Sequence, residues 1–139
     1  MKSFRVQVIG SGYVGLTTAL GFSSKGIAVT GVEIDEDKRE RINSGRVPFH
    51  EPKVGELLIK CLEGGFRVSD SLVDSDVSFI TVGTPSRNDG SIDLTYVKSA
   101  TSLLGEFLKN VYRYHVVVVK STVVHSVSQE RFSLTSHSV

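Results

Sequence analysis

The chain has one cysteine in 139 residues, so it forms no internal disulfide and suits a reducing compartment. It also has almost no net charge: 16 Lys and Arg stand against 15 Asp and Glu, a formal balance of +1. With both signs interspersed, there is no electrostatic case for a nucleic-acid partner or a membrane surface. No apolar run approaches the roughly 20 residues of a membrane span. Met1-Lys2-Ser3 leads directly into a strand-like segment rather than the apolar core of a signal peptide. These absences point to a cytoplasmic protein that engages neither nucleic acid nor membrane. What the sequence does hold is apolar material, at 40% of residues, enough to build the core of one domain.

That material is organised around Val6-Gln-Val-Ile-Gly-Ser-Gly-Tyr-Val-Gly15, an apolar run that breaks into Gly10, Gly12 and Gly15. The spacing is G-x-G-x-x-G between a strand and a helix, and each glycine has a mechanical reason. Gly10 permits a tight turn, Gly12 lets the backbone approach a pyrophosphate, and Gly15 lets the helix pack closely on the strand. The helix N-terminus then offers free N–H groups and partial positive charge to an anion. Glycines also punctuate ordinary turns, so the following chain has to decide. Leu16, Ala19, Leu20 and Ser23 fall at helical spacing, Gly26 reads as a stop, and Ile27 to Val32 reads as a second strand. It ends at Glu33, about 20 residues past the glycines, where an adenosine ribose needs a hydroxyl acceptor. The combined pattern predicts a dinucleotide site, with NAD⁺ preferred over NADP⁺ because an acid repels a 2′-phosphate.

The rest of the chain alternates in the same way. The first strand is expected over 4–9, its helix over 12–25 and the second strand over 27–33, forming a right-handed βαβ unit. Asp35 is placed to cap a helix over 36–43, and its Lys38 either reaches the ribose region or belongs to a solvated face. The segment 46–52, with two prolines, is a loop; its His50 has no matched carboxylate or serine and reads as solvated more readily than as an acid or base. Val54, Leu57, Leu58, Cys61 and Leu62 make one apolar helix stripe, so Cys61 reads as a core residue rather than a nucleophile. A short strand over 66–69, a brief helix near 71–74 and a fourth strand over 77–82 follow. The polar segment 83–90 lies at that strand's carboxyl end, where ligands sit in open α/β sheets, and Thr84 and Ser86 are candidate donors there. A helix over 94–110 carries Val97, Ala100, Leu104, Phe107 and Val111 on one stripe, and a valine-rich strand over 114–120 ends in Ser121-Thr122. From His125 onward the sequence is serine-rich with no periodicity, and no element is expected.

Four ordered segments resemble the N-terminal domain of the UDP-glucose/GDP-mannose dehydrogenase family. They are Val-Ile-Gly-Ser-Gly-Tyr-Val-Gly-Leu, Gly-Val-Glu-Ile-Asp, Asp-Ser-Asp-Val-Ser-Phe-Ile-Thr-Val-Gly-Thr-Pro-Ser and Val-Val-Val-Lys-Ser-Thr-Val-Val. The stretch from Asp74 to Ser86, with Gly90 and Asp93-Leu94 after it, is most similar to the GDP-mannose branch. The resemblance covers about Phe4 to Val124 and implies NAD⁺-dependent oxidation of a nucleotide sugar's C6 hydroxyl to a carboxylate through a cysteine thioester. Carried over by motif, it implies backbone contacts from Tyr13 and Val14 to the pyrophosphate. Glu33 stands where the family usually has a ribose-binding aspartate, Lys38 matches its ribose-side lysine, and Thr84 and Thr122 match NAD contacts.

The departures are as specific. The family continues from Ser-Thr-Val into Pro-Gly-Thr, whereas here Val124 precedes His125-Ser126-Val127, and Lys53-Val54 replaces the usual Gly-Leu after Glu51-Pro52. The family's Gly-Gly-x-Cys-Leu-Pro-Lys-Asp motif is absent from the sequence, and Cys61 does not match it, so no catalytic residue is assigned.

The expected architecture is therefore an α/β Rossmann-type parallel sheet of five strands, order 3-2-1-4-5, with helices on both faces. Residues 1–124 would form the NAD-binding domain and 125–139 an aberrant or disordered tail, with the substrate domain and C-terminal domain missing. Three readings stay open: a truncated or split dehydrogenase inactive alone, a stand-alone dinucleotide-binding module, and a frameshifted fragment without function. A nucleotide sugar is an expected partner only if the missing domains are supplied, and full-length members of the family are expected to be homo-oligomers.

Overall fold

The computed structural model describes residues 3–121. Along them run β1 (Arg5–Ile9), α1 (Tyr13–Ser24), β2 (Ala28–Val32), α2 (Glu36–Asn43), α3 (Pro52–Glu63), β3 (Arg67–Ser69), β4 (Val77–Ile80), α4 (Thr95–Leu108) and β5 (Val116–Val119). The strands form one five-stranded sheet in the order β3-β2-β1-β4-β5, parallel throughout, as the alternation of elements predicts. Each observed strand is shorter by one to three residues than the apolar run that announced it. Each run extends past its ladder at one end or both, because the ladder stops where its partner does.

The register puts Val6 beside Val29 and Val77, and Ile9 beside Val32 and Ile80. Because strand side chains alternate between faces, these two sets build separate cores. Val6, Val8 and Val29 pack with Leu16, Ala19 and Leu20 of α1 and Leu58 and Cys61 of α3. Ile9, Val32 and Ile80 pack on the other face with Ala100, Leu104 and Leu108 of α4. Burying each leucine of this kind stabilises the fold by about 1.5–3 kcal/mol. Helices therefore cover both faces. Cys61 is buried, its Sγ lying 3.7 Å from the Leu20 carbonyl, as a small core residue would.

The expected brief helix at 71–74 is not formed. Four residues are too few to offset helix nucleation, and other groups claim the amides: Val73 N donates to Gln7 Oε1 (3.0 Å) and Ser71 N to Ser69 Oγ (3.1 Å). At the end of this segment Asp74 instead pairs with Arg5 (2.9 Å) and Arg113 (2.6 Å). The expectation for the tail, 125–139, falls outside the described residues.

Candidate functional site

All five strands point their carboxyl ends the same way, and the sequence-predicted residues that are described follow those ends. β1 ends at Ile9, and Gly10 takes φ +98°, a conformation that side-chain-bearing residues rarely adopt. Its N–H stays on the sheet, donating to the Val32 carbonyl at 2.9 Å. The turn throws the chain back over the sheet so closely that a Cβ at Gly15 would stand 2.0 Å from the Gly10 carbonyl oxygen and 2.5 Å from Thr81 Oγ1. Gly12 differs: a Cβ there would meet nothing within 4 Å. It is the N-cap of α1 in extended geometry, with no side chain capping the first-turn amides. Gly15 is thus required by the fold, whereas Gly12 borders open space beside an uncapped helix terminus.

Glu33 follows β2 and is 8% exposed. Its Oε2 accepts from Ser11 N at 3.2 Å, and its Oε1 lies 3.4 Å from Lys38 Nζ. Lys38 comes from the first turn of α2, which Asp35 caps by accepting the Lys38 N–H at 3.0 Å. The cap places the lysine over the acid, so the two side chains that the sequence singled out for a ribose do meet. Arg39 Nη1 donates to the Glu33 carbonyl at 2.9 Å.

On the other side, the chain leaving β4 carries Thr81 and then Thr84. The segment after Thr84 is a small hairpin: Ser86 and Ile92 form an antiparallel bridge, and Asp93 N donates to the Pro85 carbonyl at 2.8 Å. Asp93 then accepts the Thr95 hydroxyl (2.6 Å) and N–H (2.9 Å) at the start of α4. Those bonds, with Arg87 nearby, hold its carboxyl below the usual range. Ser121 Oγ donates to the Val82 carbonyl at 2.7 Å, tying the end of β5 to the same loop. Thr122, the remaining expected contact, lies outside the described residues.

Tyr13 and Val14 open α1, both exposed at the same end. The Tyr13 ring leans on Phe49 from the 46–51 loop, centroids 5.1 Å apart. His50, the neighbouring loop histidine, is exposed. Three residues escaped the sequence reading: Ser11, Phe49 and Thr81. The first two carry no signal in a single sequence. Thr81 looked like one more residue of the strand expected over 77–82, and only the observed end of β4 at Ile80 and the strand order set it opposite the glycine turn. Among the described residues no group of three His, Cys, Asp or Glu side chains is placed to hold a metal ion.

The family model for the NAD binding domain of UDP-glucose/GDP-mannose dehydrogenases matches residues 4–137. The chain belongs to this family. The match continues past Val124, where the motif resemblance ended. UDP-glucose 6-dehydrogenase AglM of Haloferax volcanii is 43% identical over 122 residues, covering 86% of this chain and 28% of that protein. A UDP-glucose dehydrogenase structure from Pyrobaculum islandicum superposes with a TM-score of 0.89 at 34% identity, over 99% of this chain and 33% of that one. A GDP-mannose dehydrogenase from Pseudomonas aeruginosa, solved as a ternary complex, gives 0.88 at 34% identity, over 96% and 32%. This NAD-binding domain therefore spans less than a third of the length of its relatives. Among its described residues, no helix is long and apolar enough to cross a membrane.

Proposed function

We propose that residues 1–124 hold NAD for a nucleotide-sugar 6-dehydrogenase, with the pyrophosphate over Gly10, Gly12 and Gly15 and the backbone of Tyr13 and Val14. The observation that carries this is the contrast between two glycines. Gly15 is packed, whereas a Cβ at Gly12 would fill only empty space next to the uncapped amides of α1. A dinucleotide phosphate fits that gap by chemistry as well as by shape, since free N–H groups at a helix start favour an anion. Glu33 and Lys38 then face the adenosine ribose, the carboxylate accepting from its hydroxyls and the ammonium donating to them. Thr84 is a further NAD contact in this reading, as is Thr122 by its family motif.

NAD supplies the hydride acceptor when bound; the residues of this chain bind and orient it. Oxidation of an alcohol to a carboxylate through a thioester also needs a thiol beside the substrate. Cys61 does not meet that need, because it is buried on the face of α3 that packs against α1. The chain alone is accordingly expected to bind NAD without oxidising UDP-glucose or GDP-mannose, and a nucleotide sugar becomes its partner through the rest of the relatives' length. The homo-oligomeric state of full-length members and a cytoplasmic location belong to the same reading.

Calorimetric titration tests it. NAD⁺ should bind more tightly than NADP⁺, and Gly12→Val should abolish binding while the circular dichroism of the fold is kept, because the branched side chain occupies the phosphate's place. A folded Gly12→Val variant that binds NAD⁺ as well as the parent would refute the assignment. So would tighter binding of NADP⁺ than NAD⁺. The inactivity of the chain alone is tested with either sugar nucleotide and NAD⁺, and growth of NADH absorbance would overturn it.

A further inference from the structure

The peptide joining Gly10 to Ser11 is gripped at both ends. A trans peptide points its C=O and its N–H in opposite directions. Here the Gly10 carbonyl accepts from Thr81 Oγ1 at 2.9 Å, while Ser11 N donates to Glu33 Oε2 at 3.2 Å. The two side chains come from strands on opposite sides of β1, Thr81 following β4 and Glu33 following β2. Both are 8% exposed, so water competes little for either bond. The Thr81 hydroxyl also lies 2.8 Å from the Ile9 carbonyl. Successive carbonyls of a regular strand point to opposite sides, and one hydroxyl reaches both here because φ +98° at Gly10 turns its carbonyl back.

We propose that Thr81 is a positioning residue for dinucleotide binding. Together with Glu33 it makes the Gly10–Ser11 peptide a strut that aims Gly12 and the first-turn amides of α1 at the pyrophosphate. Glu33 then has two tasks: Oε2 holds the strut, and Oε1, near Lys38, remains for the ribose. The inference rests on the reading of this turn as the phosphate site. It adds that the turn is preformed by a side chain that touches no part of the ligand. Loss of the hydroxyl leaves the Gly10 carbonyl without its donor and frees the peptide to rotate, so the helix start must be ordered at the expense of binding.

The test uses the 139-residue chain with Thr81→Val, which keeps the shape and removes the hydroxyl, and Thr81→Ser, which keeps the hydroxyl. Thr81→Val should weaken NAD⁺ binding about five- to thirtyfold and Thr81→Ser by less than about threefold, as expected for one buried hydrogen bond and its unpaired acceptor. In the ligand-free protein, the Ser11 amide should exchange slowly in the parent and in Thr81→Ser, and at least about tenfold faster in Thr81→Val. A merely structural threonine would move the melting temperature without singling out Ser11. Parent-like binding and parent-like Ser11 protection in Thr81→Val would overturn the proposal. Should Thr81→Val not fold, the parent decides: a Ser11 amide exchanging as fast as the exposed amides of the 86–92 hairpin overturns it, and a protected one supports it. Failure of the parent to bind NAD⁺ would instead remove the proposed function, while the Ser11 exchange would still report on the strut.

Discussion

Replacing Gly15 with alanine puts a methyl carbon 2.0 Å from the Gly10 carbonyl oxygen and 2.5 Å from Thr81 Oγ1. The nearer atom is backbone, so no rotamer change relieves the clash. Ordinary van der Waals contact begins near 3.4 Å, so α1 must lift from the sheet by roughly an ångström, or the glycine turn must open. Lifting the helix carries Leu16, Ala19 and Leu20 with it, all part of the first core. Overpacking of this kind costs about 1–3 kcal/mol, or more when the obstacle cannot yield. The gain in helix propensity from glycine to alanine, about 1 kcal/mol, offsets part of that. A net loss of about 2 kcal/mol lowers the melting temperature of a domain this size by about 5–10 °C. Gly12→Ala is the control. It meets no atom within 4 Å and its backbone, φ −74° and ψ −166°, suits any residue. Its stability loss should stay below about 1 kcal/mol, the scale of a changed N-cap. Thermal melts of the three ligand-free proteins, followed by circular dichroism, make the comparison. Should Gly15→Ala melt within about 2 °C of the parent, α1 does not sit on the turn as closely as described, and the separation of a packing glycine from a binding glycine fails.

Asn43 Nδ2 donates to the Val68 carbonyl at 2.9 Å and its Oδ1 accepts the Val68 N–H at 2.8 Å, so it stands in for a missing neighbour of β3. Asn43→Ala should cost about 1–2 kcal/mol for these two bonds, seen as a lower urea midpoint with an unchanged slope. An unchanged midpoint would mean that water replaces the side chain at no cost. His115 gives a pH dependence. Its Nδ1 is 3.0 Å from the Ser75 carbonyl, which can only accept, so Nδ1 carries the proton and Nε2 accepts from Ser78 Oγ at 2.8 Å. Burial lowers its pKa from the ordinary 6.5, opposed by the Ser75 carbonyl, lowered further by Arg113 and raised by Asp76 and Asp74. The unfolded chain therefore binds this proton more readily than the folded one, and stability present above pH 6.5 should fall as the pH drops below it. Asp74 acts in a separate window. The Arg113 hydrogen bond lowers its pKa from 3.8, so its contribution disappears only as the pH falls below that value. Urea unfolding between neutral and mildly acidic pH checks the first window, and His115→Gln should flatten it; an equal slope in that variant would refute the assignment.

What the sequence determined by itself was local. The order of elements, the parallel sheet and the glycine spacing follow from periodicities that neighbouring residues carry, because a buried parallel strand must be apolar along its length and a turn back over it must have glycine. Glu33 was legible for the same reason, since its distance along the chain from the glycines reflects the length of one βαβ unit. Lys38 was not decided by charge pattern; its family motif singled it out, and the fold brings its Nζ to 3.4 Å from Glu33. The brief helix at 71–74 shows the limit from the other side: its local propensity lost to Gln7, 66 residues away in the chain, which takes the Val73 amide. The motif gave Gly12 and Gly15 different tasks, and tertiary structure supplied the neighbours that crowd one and leave the other open. A Cβ at Gly12 meets nothing within 4 Å, whereas one at Gly15 faces the Gly10 carbonyl and Thr81, a residue just past β4 that reaches the turn only because β4 pairs with β1. Contacts across such separations are fixed by strand order and register, and a chain read residue by residue carries neither.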